Sequence, residues 1–336
     1  MSTPRIKPDP TRGAQANNVV APSPEAILRA VGLLRQGQVV GMPTETVYGL
    51  AGDGLNPAAL ARIFEVKQRP LFDPLILHFA DMAGAFALAE QIPTAARELA
   101  QHFWPGPLTL VLRKKEMVPD LATSGLPNVA LRVPAHPVAQ ALLREFGGPL
   151  AAPSANRFGR ISPTDAQAVR TELGETVPLI LDGGPCAVGL ESTVLFLSEH
   201  RPVLLRAGGI PVEEIEAVVG PVRHAAPVAE RPLAPGQLKH HYAPRKPLRL
   251  VRGMAEIPSQ SDTGWLAFGT PAVPGTFLGV VENLSPAGDL REAAANFFRA
   301  LRSLDDDSRV GTLYAMALPA HGLGVAINER LERAAG

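Results

Sequence analysis

A proline-rich stretch between His224 and Pro247 limits the possible folds of this chain more than any other segment. Five prolines fall within it, at positions 227, 232, 235, 244 and 247. Because proline fixes φ and has no backbone N–H, such a segment favours an extended, semi-rigid connector over a helix or a strand. A length of 336 residues also favours two domains over one. We therefore predict a linker over residues 224–247, with a domain on either side of it.

Charge and cysteine content exclude several classes of function. The chain has 32 basic and 32 acidic residues, whereas a protein that mainly grips nucleic acid usually carries a basic excess. Cys186 is the single cysteine, so an intrachain disulfide, a CxxC redox pair and a multi-cysteine zinc site are excluded. The histidines show no HExxH-like spacing, and we predict no metal site built by the protein.

The first 22 residues are polar, contain prolines and have no apolar core of the kind found in a secretory signal. We predict a disordered arm over residues 1–22. No stretch approaches 18 uninterrupted apolar residues, so no membrane span is expected. These features lead us to expect a cytoplasmic protein.

Residues 23–223 alternate helical patterns with short apolar strands and include direct strand–strand steps. This mixture predicts an α/β domain of mixed character, in which helices cover a twisted, mixed sheet. The run PTETVYGLAGDG is interpreted as a loop that leads out of the first strand. The predicted strands lie at 38–42, 75–78, 108–113, 129–133, 179–182, 192–197 and 203–206; the predicted helices begin near 24 and 57 and cover 93–103, 136–146 and 163–173.

The pattern of strands and helices in residues 248–336 predicts a second, smaller α/β domain with a parallel sheet. Its predicted strands lie at 248–251, 264–268, 278–281 and 311–316, and its helices at 289–304 and 325–333.

Lys67 and Arg69 stand at the end of a predicted helix, in the run EVKQRPLFDPLILH. Helix C-termini favour cations, so a structural role is one interpretation. The other is a phosphate site, because lysine offers a point charge and arginine a planar fork for two oxygens. The sequence around GLAGDG matches neither GxGxxG nor GxxxxGK[ST], so a nucleotide would have to be held without a familiar phosphate loop.

Arg132 and Arg206 lie within apolar strands, in ALRVP and LLRAG. A buried arginine is costly unless an anion meets it. The partner is either an internal carboxylate or the carboxylate or phosphate of a substrate, and two such arginines favour an anionic ligand.

Three runs are rich in small polar groups: PTETVYGL, APSANRFGRISPT and GLESTV. Each can be explained as a hydrogen-bonded turn. Together with the arginines they favour a polar substrate pocket at strand ends. Ser154 lacks a GxSxG elbow and Cys186 has no base nearby in the sequence, so neither is predicted to be a nucleophile.

The ordered set PTETVYGL, KQRP with DPLILH, ALRVP, APSAN with SPT, ESTV and LLRAG resembles the YrdC-like family over residues 23–336. The match is to its long form, in which APGQLKHHYAP resembles the linker and GLGVAINERLERAAG the last helix of a Rossmann-like domain. The resemblance implies an L-threonylcarbamoyladenylate synthase, a nucleotidyltransferase that forms threonylcarbamoyl-AMP and pyrophosphate from L-threonine, bicarbonate or CO2, and ATP.

The resemblance also implies site residues and partners. ATP would enter with Mg²⁺, and the product would pass to other proteins that modify tRNA with threonylcarbamoyladenosine, without stable binding of nucleic acid by this chain. Lys67 and Arg69 are the implied catalytic residues. The implied threonine pocket consists of Thr46, His78, Arg132, Ser154 and Ser192, and the implied ATP site of Lys67, Arg69, Asp73, Asn128, Asn156, Thr164, Arg206 and Tyr242.

The chain departs from the family at Asp73, where asparagine is usual. An ionised carboxylate about 4 Å from a phosphate is opposed by about 4 kcal/mol at an effective dielectric near 20. Asp73 must therefore pair with Lys67 or Arg69, reach Mg²⁺, or turn away. Asn128 replaces a more usual hydroxyl residue and Ala234 a serine in the linker. Because Tyr242 is tethered and aromatic, the linker is hypothesised to close over the active site.

Two other functions remain open on the sequence alone. A carbamoyl-adenylate-forming protein of the hydrogenase-maturation type uses a related domain, but its cysteine-rich zinc modules cannot be built from one cysteine. An RNA-binding protein could use a basic cleft, although an aromatic content of 5% offers few stacking platforms.

Overall fold

The computed structural model describes residues 18–197, 201–225, 241–270 and 277–336. Across these residues the chain forms a large mixed sheet, which runs to His224, and a four-stranded sheet after the linker. The mixed α/β class and the division into two sheets confirm the fold predicted from the sequence. No helix among the described residues has the length and apolar character that a membrane crossing requires.

The large sheet has eleven strands in the order β1-β8-β2-β3-β7-β4-β6-β5-β9-β10-β11. Its central pairs include β4 with β6, which run parallel, and β5 with β6, which run antiparallel. The strands are β1 (Val19–Val20), β2 (Val40–Met42), β3 (Gly49–Asp53), β4 (Ile76–His78), β5 (Leu108–Arg113), β6 (Asn128–Arg132), β7 (Leu150–Ala151), β8 (Ile180–Leu181), β9 (Thr193–Phe196), β10 (Val203–Arg206) and β11 (Arg223–His224).

Helices flank this sheet, and the sequence starts and stops them locally. Ser23 caps the first helix by accepting a hydrogen bond from the Ala26 N–H at 3.2 Å, and Asn56 caps the second by accepting from the Ala58 N–H at 2.9 Å. The helices are α1 (Pro24–Arg35), α2 (Pro57–Lys67), α3 (Met82–Phe86), α4 (Thr94–Phe103), α5 (Asp120–Thr123), α6 (Pro137–Phe146), α7 (Ala166–Leu173) and α8 (Val212–Val219).

The smaller sheet is parallel throughout, as predicted, with the order β12-β15-β13-β14. Its strands and helices are β12 (Leu248–Val251), β13 (Thr263–Ala267), β14 (Val280–Asn283), α9 (Leu290–Asp306), β15 (Thr312–Met316) and α10 (Leu323–Ala335).

Three local predictions need correction. Val19–Val20, placed in the disordered arm, form β1 and pair with β8, while residues 1–17 lie outside the described part. Gly49–Asp53, interpreted as a loop, form β3. Glycine has low strand propensity, but pairing with β2 and β7 supplies the hydrogen bonds of a strand. His224, assigned to the linker, ends β11, which pairs with β10. Residues 226–240 of the linker lie outside the described part.

The two sheets are held together by side chains that cross between them. Tyr242 packs on Phe298 of α9, with ring centroids 5.4 Å apart. Arg302 of α9 pairs with Glu172 of α7, with 2.7 Å between Nη1 and Oε1. Arg330 of α10 is buried against the large sheet. The described end of the linker therefore lies between the sheets, beside the cleft described next.

Candidate active site

A cleft opens to solvent where several strands of the large sheet end. Ligand pockets commonly combine apolar walls with a few convergent polar groups, as this cleft does. The lining side chains come from eight separate segments: Thr46, Val47, Arg69, Ile76, His78, Arg132, Ala152, Pro153, Ser154, Glu191, Ser192, Arg206, His241 and Tyr242.

Strand pairing places the polar residues at one edge. His78 and Arg132 are register partners at the ends of the parallel strands β4 and β6, so their side chains lie on the same face of the sheet. Thr109 of β5 lies beside Ser192, which comes just before β9, with 2.7 Å between the two hydroxyl oxygens. Arg206, at the end of β10, donates to the Ser192 hydroxyl at 3.1 Å. Four strands thus deliver their side chains to one place.

All five residues predicted for the threonine pocket line the cleft: Thr46, His78, Arg132, Ser154 and Ser192. Their hydroxyl, imidazole and guanidinium groups are types that can recognise an amino acid. That they bind threonine stays a prediction.

Arg132 pairs with an internal carboxylate, which was one of the two partners predicted from the sequence. Its Nη2 lies 2.6 Å from Glu45 Oε1, and its Nε donates to the Gly106 carbonyl at 3.3 Å. Glu45 Oε2 also accepts from the Ala135 N–H at 3.0 Å. Because Glu45 occupies one side of the guanidinium, Arg132 is fixed in orientation while still lining the cleft.

His78 is neutral in this setting. Its burial, followed by the positive charge of Arg132, lowers the pKa of His78 to about 3. At neutral pH the imidazole therefore offers one hydrogen-bond donor and one acceptor, but no charge.

Arg69 and Asp73 form a buried ion pair, which was one of the three expected outcomes for Asp73. Asp73 Oδ2 lies 2.8 Å from Arg69 Nη2, although neither carboxylate oxygen accepts a well-oriented hydrogen bond from a described residue. Burial raises the pKa of Asp73, while the charges of Arg69, Lys67 and Arg206 oppose that rise. Arg69 lines the cleft and Asp73 does not.

Lys67 lies behind the wall of the cleft instead of in it. Its side chain is 1% exposed, and its Nζ donates to the carbonyls of Ser154 and Asn156. Burial and the nearby charge of Arg69 lower the pKa of Lys67 well below its usual value. In this arrangement Lys67 holds the cleft-lining segment at Ser154 in place.

Three further residues of the predicted ATP site do not line the cleft. The Asn156 side chain donates to the carbonyls of Arg157 and Arg160, at 2.9 and 2.8 Å. Thr164 is buried, and its carbonyl accepts from the Cys186 N–H at 2.9 Å. Asn128 begins β6, roughly 13 Å along the strand from Arg132. Their contacts with ATP stay predictions.

Tyr242 enters the cleft from the linker with an unusual backbone. Its φ is 67°, in the left-handed region that a bulky residue seldom adopts. The ring lies 4.1 Å, centroid to centroid, from the His241 imidazole, whose pKa burial lowers to about 3. Packing against both units must hold Tyr242 in this strained backbone conformation.

Glu45, Glu191 and His241 contribute to the site and were not among the predicted residues. Glu45 and Glu191 lie inside the motifs PTETVYGL and GLESTV, and a buried arginine requires a carboxylate, so their charge was the available signal. His241 was considered only as a metal ligand. Among the described residues no group of three or more His, Cys, Asp or Glu side chains is placed to hold a metal ion. Cys186 is buried outside the cleft, and burial raises the pKa of its thiol, so it remains protonated.

The fold and the cleft define an α/β protein in which neutral polar groups lie beside three arginines, a combination suited to a ligand with hydroxyl and anionic groups. Two family models together match most of the chain: one described as telomere recombination, of the Sua5, YciO and YrdC proteins, at residues 32–208, and one described as the threonylcarbamoyl-AMP synthase C-terminal domain, at residues 210–336.

Known proteins that are similar to this chain carry the same family names. The threonylcarbamoyl-AMP synthases of Bacillus subtilis and Pyrococcus abyssi are each 41% identical to this chain, over 92% and 91% of it respectively and over 93% of their own lengths. The crystal structure of P. abyssi Sua5 complexed with L-threonine matches with a TM-score of 0.85 at 40% identity, covering 92% of this chain and 94% of that one. Escherichia coli YciO matches 56% of this chain with a TM-score of 0.51 at 27% identity. The chain therefore belongs to the family of threonylcarbamoyl-AMP synthases.

Proposed function

We propose that this chain joins L-threonine, bicarbonate or CO2, and ATP into threonylcarbamoyl-AMP and pyrophosphate. One observation supports this most directly: a single cleft presents Arg132 beside neutral polar groups and, on its other walls, Arg69 and Arg206. An amino acid and a polyphosphate require such a combination, because one brings a carboxylate and a hydroxyl and the other a chain of negative charges.

In this proposal threonine lies near Arg132. The guanidinium group, with Glu45 on one side, pairs with the substrate carboxylate through its remaining donors. Neutral His78 and the hydroxyl groups of Thr46, Ser154 and Ser192 surround the rest of the amino acid. A site that hydrogen-bonds a substrate hydroxyl discriminates strongly against an analogue that lacks one.

The triphosphate lies toward Arg69 and Arg206. An oxygen of N-carboxylated threonine attacks the α-phosphorus, the new O–P bond forms, and the bond to the departing pyrophosphate breaks. Such a transfer depends on alignment and on neutralised charge and requires no protein nucleophile. Mg²⁺ bound to ATP supplies part of the positive charge. Lys67 holds the Ser154 segment of the cleft in place, and Tyr242 covers the nucleotide from the linker.

The product is a reactive mixed anhydride, which a second protein has to accept. We propose that proteins modifying tRNA with threonylcarbamoyladenosine consume it, and that the chain acts in the cytoplasm, where ATP and tRNA meet.

The proposal is tested by measuring pyrophosphate release from ATP with threonine and bicarbonate omitted in turn. We expect release to require both, and the adenylate to be detectable by mass spectrometry. Serine and alanine in place of threonine measure the recognition of the methyl and hydroxyl groups. Pyrophosphate release that ignores threonine would contradict the proposal, as would salt-sensitive RNA binding without any ATP turnover.

A further inference from the structure

Arg330 of α10 is a buried arginine at the boundary between the two sheets. Its side chain is 1% exposed, although α10 belongs to the smaller-sheet unit at the end of the chain. Its Nε donates to Glu191 Oε2 at 2.8 Å, and its Nη1 donates to the Ala207 carbonyl at 3.0 Å and to the Ala326 carbonyl at 2.8 Å. Two of these three partners belong to the large-sheet unit.

Each partner across the boundary is next to, or part of, the cleft. Glu191 lines the cleft and is followed by Ser192, and Ala207 follows Arg206. The guanidinium carbon also lies 5.5 Å from the centroid of the Tyr242 ring, which lines the cleft from the linker. A single side chain thus touches three segments that together form one side of the site.

The charge at this place is balanced by several elements at once. Three groups face Glu191: Arg330 of α10, Arg206 of β10 and the Ser162 hydroxyl. The hydroxyl donates to Glu191 Oε1 at 2.6 Å. Burial would raise the pKa of Glu191, but the two arginines and this hydrogen bond outweigh it and lower the pKa to about 2. Glu191 therefore remains a carboxylate, and its orientation depends on the groups that hold it.

Stability alone is a weak explanation for this ion pair. Replacing a buried ion pair by apolar residues is often neutral or stabilising, because both charges lose their hydration. A planar guanidinium with donors in fixed directions is, by contrast, well suited to fixing the relative positions of several acceptors.

We propose that Arg330 is a positioning residue of the active site, through which the last helix of the chain sets the positions of Glu191, Ser192 and Tyr242. This inference rests on the proposed function and adds to it a role for the smaller-sheet unit. Arg330 does not touch the reacting groups; it acts through the cleft-lining segments that it bridges.

The experiment compares Arg330→Gln, Arg330→Lys and the control Arg302→Gln in the full-length chain. Arg302 also crosses the boundary, to Glu172 and the Ile161 carbonyl, but neither partner lines the cleft. We expect Arg330→Gln to lower kcat/KM for ATP by about 100-fold, the size of effect that a misplacement of about 1 Å can produce. Arg330→Lys keeps the charge but not the fork and should recover part of the loss. Arg302→Gln should remain within about twofold of the parent chain.

A second variant separates positioning from folding, because Arg330→Gln alone leaves Glu191 buried without its main partner. The double variant Glu191→Gln/Arg330→Met removes both charges and should recover thermal stability without recovering kcat/KM for ATP. Recovery of both stability and kinetics in the double variant, or parental kinetics in Arg330→Gln, would overturn the proposal.

The ATP-induced increase in Tm gives a readout that does not depend on turnover. A smaller increase in Arg330→Gln than in the parent supports positioning even if threonine-dependent turnover is absent, and in that case only the proposed reaction fails. An equal increase in both chains counts against Arg330. Absence of any ATP effect on the parent chain would overturn both proposals together.

Discussion

The two sheets of this chain differ in how many charged side chains they bury. The smaller sheet has a largely apolar core, in which Phe297, Leu304 and Leu313 are fully buried. The large sheet keeps many ionisable groups out of water at the edge where its strands end. The buried acidic, lysine and arginine side chains of the described residues are Glu45, Lys67, Arg69, Asp73, Arg132, Glu191 and Arg206 in the first unit, and Asp305 and Arg330 in the second.

Burying a charge is costly unless a partner meets it, so such a concentration indicates a purpose other than stability. In the large-sheet unit four of these seven side chains line one cleft, and the other three contact residues that line it. In the smaller unit, Asp305 anchors the linker by accepting from the Arg245 and Lys246 N–H groups at 2.8 and 3.0 Å, and Arg330 points back to the cleft. Under the two proposals, the large-sheet unit carries the chemistry and the smaller-sheet unit stabilises and aligns it.

Removing a charge from the cleft should have the largest effect. We expect Arg132→Met to reduce kcat/KM for threonine by 100-fold or more, taking about 3 kcal/mol or more for the loss of a buried charge partner. It should also lower the free energy of unfolding by about 3–5 kcal/mol, because Glu45 is left buried and unpaired. Steady-state kinetics and urea denaturation measure the two effects.

Two further variants serve as controls for Arg132. Glu45→Gln/Arg132→Met should recover stability but not threonine recognition. Arg113→Ala, whose ion pair with Glu90 is exposed on the same sheet, should change neither quantity appreciably. Parental threonine kinetics in Arg132→Met would remove the basis for the threonine pocket.

A cavity in the smaller sheet should cost stability without affecting the chemistry. Leu313 of β15 is fully buried, so Leu313→Ala should lower the free energy of unfolding by about 2–5 kcal/mol. The folded fraction should keep the parental KM for ATP and threonine. A changed KM would show that the smaller unit is coupled to the cleft through its core as well as through Arg330.

Acid should destabilise the cleft through its two neutral histidines. His78 and His241 have their pKa lowered to about 3, so the unfolded chain binds more protons than the native chain between about pH 6.5 and 3. The free energy of unfolding therefore has its full value above pH 6.5 and decreases as the pH falls toward 3. At pH 5 each histidine should lower it by up to about 2 kcal/mol.

Urea denaturation at pH 7.5 and pH 5 measures this loss. His78→Gln and His241→Gln should each reduce the difference between the two pH values, and the exposed His102→Gln provides the matched control. An unchanged difference in both cleft variants would show that these imidazoles are not held neutral.

The smallest expected effect is a gain. Asp73 offsets the charge of Arg69, so Asp73→Asn should lower KM for ATP by about tenfold, a part of the repulsion of about 4 kcal/mol between a carboxylate and a phosphate at close range. Tm should fall, because Arg69 loses its ion pair. The exposed Asp120→Asn is the control. A rise in KM that depends on Mg²⁺ concentration would instead assign Asp73 to the metal that accompanies ATP.

Much of the local structure was predictable. Serine and asparagine before proline start α1 and α2, and short segments rich in apolar residues mark most strands of the smaller sheet. Arg132 was predicted to need an anion because it interrupts an apolar strand. The strand β3 was missed because the glycines of GLAGD give it low strand propensity, and because one of its two pairing partners, β7, is distant in the sequence.

Local propensity and the cost of burying charge were enough to predict the class of fold, the parallel second sheet and the need of Arg132 and Arg206 for an anion. The partners of the buried arginines depend on how the chain folds. Arg132 meets Glu45 across 87 residues, and Arg330 meets Glu191 across 139. A local pattern contains no information about contacts over such distances, since strand order and the docking of the last helix bring those groups together.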